Sequence, residues 1–219
     1  VALQSKTIAD PAAREALKKT QQRIATVAQV NRRLYTTDDV EYVAMDDYLG
    51  GLAEDLSATW SRGVAARGGI ADFEPMRLPP DKPVALGMIA NEWVSNACKY
   101  AYGDSDDGEI RISLRRADET LLELAVVDDG AGMPSDGTAR GTGLGTRLIE
   151  ALARTHKAAV SYGAVDPSRD MPGTSALIRI RLPPGEHKAW LVPRGGRGGS
   201  AAADGRGWTS ASDCFSGRM

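Results

Sequence analysis

Only two cysteines occur among 219 residues, Cys98 and Cys214, far apart and without the spacing of metal ligands. This scarcity argues against a disulfide scaffold or a cysteine-built zinc site. It fits a reducing compartment, with Cys98 as a small buried filler. Charge of one sign is also lacking. A formal net charge of -2 provides no global basic field, so nucleic acid is not expected as a partner and any phosphate binding must be local. No apolar run approaches the length of a membrane span and nothing resembles a signal peptide, so no membrane segment is expected and a cytoplasmic location is the default. The chain opens on Val1 rather than Met, inside what reads as a helix, which suggests a fragment.

An apolar fraction of 42% is enough for one substantial core, or one core plus a smaller helical module. Residues 1–40 have the look of that module. Asp10-Pro11 is a helix start, and Leu17, Thr20, Ile24, Val27, Asn31 and Leu34 then recur at alternating spacings of three and four. Val1 to Ile8 reads as the tail of a preceding helix, which makes 1–40 part of a helical hairpin. Such a hairpin encloses a core by pairing with a second copy in a four-helix bundle, or by packing on its own globular domain; the dimer is favoured.

From residue 41 to 183 the pattern mixes helices and strands. An amphipathic helix is expected over Asp46 to Trp60, a strand over Ile70 to Met76, and a central helix over Leu86 to Tyr102 with Pro83 marking its start. A strand through Ile110, Ile112 and Leu114, an apolar strand over Leu121 to Val127, a helix through Leu148, Ile149 and Leu152, and strands at Val160 to Tyr162 and Ser175 to Leu182 follow. This order implies an α+β fold, a mixed sheet with helices on one face. Residues 184–219, with Arg194-Gly195-Gly196-Arg197-Gly198-Gly199 and no apolar period, read as a disordered tail.

On the central helix Glu92, Asn96 and Lys99 fall at i, i+4 and i+7 and share one face, while Leu86, Ile89, Trp93, Ala97 and Ala101 gather on the other. The polar face is either an ordinary solvated surface or one wall of a site, in which carboxylate and amide oxygens hold Mg²⁺ and the ammonium meets phosphate. Two glycine-rich stretches favour the site. Asp128-Asp129-Gly130-Ala131-Gly132 ends a strand. Gly141-Thr142-Gly143-Leu144-Gly145 opens a helix whose N–H donors can approach a polyphosphate closely.

These three motifs, in this order, resemble the ATP-binding fold shared by gyrase, Hsp90, histidine kinases and MutL, whose Bergerat-type α/β sandwich they imply. Asn91 to Ala101 resembles its N-box, and the two glycine stretches resemble its glycine boxes. The resemblance implies ATP and Mg²⁺ as cofactors: Asn96 on the metal, Lys99 on phosphate, Asp128 on the adenine amino group, and Thr174 supporting Asp128. Gly130, Gly132, Gly141, Gly143, Leu144 and Gly145 would line the nucleotide. Glu92 would be catalytic, orienting metal-bound water or assisting the acceptor imidazole.

The segments Asp10 to Leu17, Gln22 to Ala25 and Val30 to Tyr35 resemble the second dimerisation helix of bacterial sensor histidine kinases, in the subgroup with a short ATP lid. The brief Ser135 to Arg140 segment agrees. Many relatives carry His where this chain has Asn31. The resemblance implies a homodimer through the N-terminal helices, a response regulator receiver domain as partner, and an acceptor histidine about four helical turns upstream of Leu3, outside the chain. His156 and His187 read as surface histidines, so this chain would bind ATP without phosphorylating itself at the usual site. A non-catalytic module that docks a regulator, and an anti-sigma-factor serine kinase, are the alternatives.

Overall fold

The computed structural model describes residues 42–60, 68–102, 108–133, 143–183 and 208–210. The N-terminal hairpin, the lid segment and most of the tail therefore lie outside the described residues.

The sheet is built from alternation. Every second residue is buried along β5 (Leu121–Asp128), along β4 (Glu109–Arg116) as far as Leu114, and along β7 (Thr174–Arg181) from Ala176 on. Cross-strand register aligns Leu114 with Leu124 and Ile178, and Ile112 with Val126 and Ala176. Neighbours in one row point to the same face, so these rows form a continuous apolar layer under the helices. Strands β6 (Ala159–Ala164) and β2 (Gly68–Phe73) extend the sheet on either side, and with β8 (Trp208–Ser210) beyond β2 the order is β6-β7-β5-β4-β2-β8. β2 pairs parallel with β4. Parallel neighbours need a crossover, and the chain makes it through the short strand β3 (Arg77–Leu78) and the helix α2 (Asp81–Tyr100).

Among the described residues three helices cover the apolar layer. α1 (Met45–Trp60) presents the fully buried Met45 and Leu49, with Leu52 and Leu56, and packs on α2 and β2. α2 buries Leu86, Ile89, Trp93 and Ala97, the apolar stripe expected from its sequence. α3 (Leu144–Thr155) seats Ile149 and Ala153 and runs beside α2. The outer face of the sheet carries charge, with Arg115 paired to Asp72 and Arg179 to Glu123, and Arg116, in the row of Leu122 at the end of β4, pairs with Glu74. These pairs are exposed and contribute about 0–1 kcal/mol each, so the fold rests on its apolar layer.

The α+β sandwich, with helices on one face of a mixed sheet, is thus as expected. The differences are local. α2 begins at Asp81, two residues before Pro83, which fits proline's tolerance in a first helical turn. β1 (Val43–Ala44) pairs antiparallel with β3 in a ribbon that the sequence did not announce. Within the tail read as disordered, Trp208–Ser210 forms a strand, β8, parallel to β2 at the sheet edge.

Candidate functional site

Asp128 ends β5 in the same inward-facing row as Ile110 and Thr174, which explains why its carboxylate lies under the helices with 5% exposure. A buried charge needs partners. Asp128 Oδ1 accepts the Gly130 N–H at 3.1 Å and the Thr174 N–H at 3.2 Å. Burial nonetheless dominates and raises the Asp128 pKa above the ordinary carboxylate value, with those hydrogen bonds opposing the rise.

The turn after Asp128 requires its glycines because neighbouring backbone approaches closely. A Cβ on Gly130 would overlap the Ala101 carbonyl oxygen at the end of α2, and that oxygen accepts the Ala131 N–H at 2.8 Å. Gly132 has φ +76°, and a Cβ there would fall 2.6 Å from Pro172 Cγ. Gly173, also left-handed at φ +66°, donates its N–H to the Gly130 carbonyl at 2.9 Å. Asp128, Gly130, Gly132 and Thr174 thus meet in one corner, between the C-terminal end of α2 and the start of β7.

α2 supplies the second wall. Asn96 and Lys99 are exposed near its C-terminal end, and Lys99 Nζ donates to Ser95 Oγ at 2.6 Å. Glu92, read as part of the same polar face, is buried at 8% exposure, unlike Asn96 and Lys99. It shares their angular position but lies further back along the axis, where the helix is covered. Gly143 is the N-cap of α3 at φ +67°, with no side-chain cap, and Leu144 and Gly145 begin the helix. Gly141 lies outside the described residues.

Away from this corner, His156 is less exposed than a surface histidine. Its Nδ1 is 3.6 Å from Asp81 Oδ2, and burial followed by the nearby Lys82 ammonium lowers its pKa. Cys98 is partly buried against the core. Among the described residues no helix is long and apolar enough to cross a membrane.

Three further residues complete the corner. Asp129, Tyr102 and Gly173 had signals of turn or helix end only, although Pro172-Gly173 before a strand is a pattern that often needs φ > 0.

Residues 81–186 match the family described as histidine kinase-, DNA gyrase B-, and HSP90-like ATPase, and residues 1–60 match a histidine kinase family. The chain is 24% identical over 151 residues to blue-light-activated histidine kinase 2 of Erythrobacter litoralis, covering 68% of this chain and 41% of the relative. It is 25% identical over 166 residues to histidine kinase 1 of the same organism, covering 75% and 43%. The chain thus spans less than half the length of these curated relatives. The solved histidine kinase domain of the Erythrobacter litoralis EL346 protein superposes with a TM-score of 0.60 at 21% identity, covering 74% of this chain and 72% of that one. Full-length ShkA, solved in complex with AMPPNP, gives 0.53 at 16% identity, covering 77% and 36%. At such identities the likeness establishes the shared fold. With residues 1–60 and 81–186 each matched to a kinase family model and the sheet-and-helix corner in place, the chain carries an ATPase core of the histidine kinase type.

Proposed function

We propose that residues 41–183 bind ATP with Mg²⁺ and transfer its γ-phosphoryl to a histidine, from which it passes to an aspartate of a response regulator receiver domain. Residues 1–40 would form half of a dimerising hairpin. The observation that carries the reading is the buried Asp128. A carboxylate has about four acceptor sites, and with Oδ1 oriented by two backbone N–H groups the group can also take an adenine amino donor. Asn96 and Lys99 stand exposed on the adjoining helix end, suited to the phosphate side.

Among the described residues no group of three or more His, Cys, Asp or Glu gathers to hold a metal ion. Mg²⁺ would therefore rest on the Asn96 amide oxygen together with phosphate and water oxygens, a set that suits a nucleotide-borne magnesium. When bound, the ion supplies neutralisation of phosphate charge. Lys99 and the N–H groups opening α3 add fixed positive ends for the same charge, so catalysis is mainly positioning and electrostatics. Glu92, buried on the same helix, would assist at the reacting end.

Residues 1–60 contain no histidine, and His156 is turned toward Asp81. The 219-residue chain should therefore not phosphorylate itself at a helix histidine, and needs an acceptor supplied in trans. Incubation with labelled ATP and a separate helix carrying the acceptor should give acid-labile phosphohistidine. Acid-stable phosphoserine, or nucleotide binding without transfer, would refute the kinase assignment.

A further inference from the structure

We infer that Tyr102 is a positioning residue for nucleotide selectivity, clamping the Asp128-bearing turn to the end of α2 through Asp129. This inference rests on the nucleotide reading above. Tyr102 directly follows Ala101, the residue that caps α2, and is buried at 8% exposure. Its hydroxyl lies 2.5 Å from Asp129 Oδ1 and 2.8 Å from the Glu109 carbonyl oxygen, and it accepts the Asp129 N–H at 3.2 Å. Asp129 Oδ1 also accepts the Glu109 N–H at 3.0 Å.

One hydroxyl proton cannot serve two acceptors fully. The charged, nearer carboxylate takes it, because a hydrogen bond to an ionised oxygen is shorter and stronger than one to a neutral carbonyl. The Asp129 carboxyl fits that assignment: burial works against its charge, yet the Tyr102 hydroxyl and the Glu109 N–H outweigh it and its pKa is lowered. Space is reserved for the arrangement, since a Cβ on Gly108 would overlap the Tyr102 ring.

The consequence lies in what the clamp joins. Ala101 holds the turn through the Ala131 N–H, and Tyr102 holds it through Asp129, so two successive residues at the end of α2 grip both sides of Gly130. The residue before Asp129 is the proposed adenine reader, and the helix before Tyr102 carries Asn96 and Lys99. Tyr102 therefore fixes the direction of the Asp128 carboxylate relative to the phosphate-side groups. Selection of an exocyclic amino group depends on that direction more than does overall anion binding.

Equilibrium titration of the full chain with ATP and with GTP tests this. Tyr102→Phe keeps the ring and removes the hydroxyl. ATP affinity should fall about threefold to tenfold, the scale of a lost charge-assisted hydrogen bond only partly transmitted, and the preference for ATP over GTP should narrow. A purely structural role would lower the melting temperature and leave that ratio unchanged, which overturns the inference. Should Tyr102→Phe fail to fold, Asp129→Asn carries the test: a narrowed ratio supports the clamp and an unchanged ratio overturns it. Asp128→Ala separates the two levels. If it binds ATP as well as the unaltered chain does, the nucleotide reading fails and the inference with it. If it loses ATP while Tyr102→Phe keeps affinity and ratio, only the inference fails.

Discussion

Gly173→Ala should be among the most damaging single-methyl changes in this protein. Two independent penalties meet at that position. The backbone sits at φ +66°, where an alanine costs about 1–2 kcal/mol more than glycine. The new Cβ would also overlap the Asp128 carbonyl oxygen and press on Val165 Cγ2 and on Asp129 Cα, at 3.2 and 3.3 Å. Two of these three atoms are backbone and have little room to retreat, so overpacking adds about 1–3 kcal/mol. The total, about 2–5 kcal/mol, should appear as a lower midpoint in urea unfolding followed by circular dichroism, with an unchanged slope. Because the next residue donates the Thr174 N–H to Asp128, ATP affinity should fall too when it is measured in mild conditions where the variant is still folded. Gly163→Ala is the internal control. Its Cβ would meet nothing within 4 Å on β6, so it should stay within about 0.5 kcal/mol of the unaltered chain. A Gly173→Ala variant as stable as Gly163→Ala would refute the reasoning.

Asp128→Asn should lose ATP binding yet become relatively more stable as pH rises. The Asp128 pKa is raised in the folded protein, so its contribution to stability is complete below the unfolded value of about 3.9 and is lost as pH climbs through the folded value. Urea melts from about pH 3.5 to pH 6.5 should show the difference growing in favour of the asparagine variant; a difference flat in pH would contradict the burial argument. His156 predicts the reverse trend. Its lowered pKa means that folding disfavours the imidazolium, so stability should decline as pH falls below about 6.5. In Lys82→Ala the decline should be smaller and the histidine's NMR titration midpoint higher; an unmoved midpoint would show that the ammonium does not act on the ring.

The sheet was legible because its signal is local. Ile110, Ile112 and Leu114 alternate and are the buried residues of β4, while Leu121 to Val127 is an apolar run in which burial, not sequence, picks out Leu122, Leu124 and Val126. The ribbon of β1 with β3 was not, since two-residue strands carry no period. Glu92 shows the limit of a helical wheel. The wheel gives its direction, shared with Asn96 and Lys99, and says nothing of depth along the axis, which other elements decide. The corner's geometry could be anticipated where a residue's own conformation or chemistry is at stake, as with the positive φ of Gly132 and the strand-end position of Asp128. Tyr102 and Gly173 were missed because their roles depend on partners 27 residues away at Asp129 and across the strand end at Asp128. Tyr102 in particular reads as no more than the last aromatic of a helix until Asp129 is seen against its hydroxyl.

The bare start of α3 sets a conflict between folding and recognition. Gly143 offers no side-chain oxygen to the first turn, and its own position gives a Cβ nothing to touch within 4 Å. A serine or aspartate there would satisfy an N–H donor of the helix from within the chain, which is worth about 0.5–2 kcal/mol elsewhere, less any penalty for the left-handed backbone. It would also act as a tethered rival for any anion that those N–H groups are meant to receive. The most stable version of this helix would thus be the one already occupied by its own side chain, and on the nucleotide reading proposed above binding would oppose the capping that stability favours.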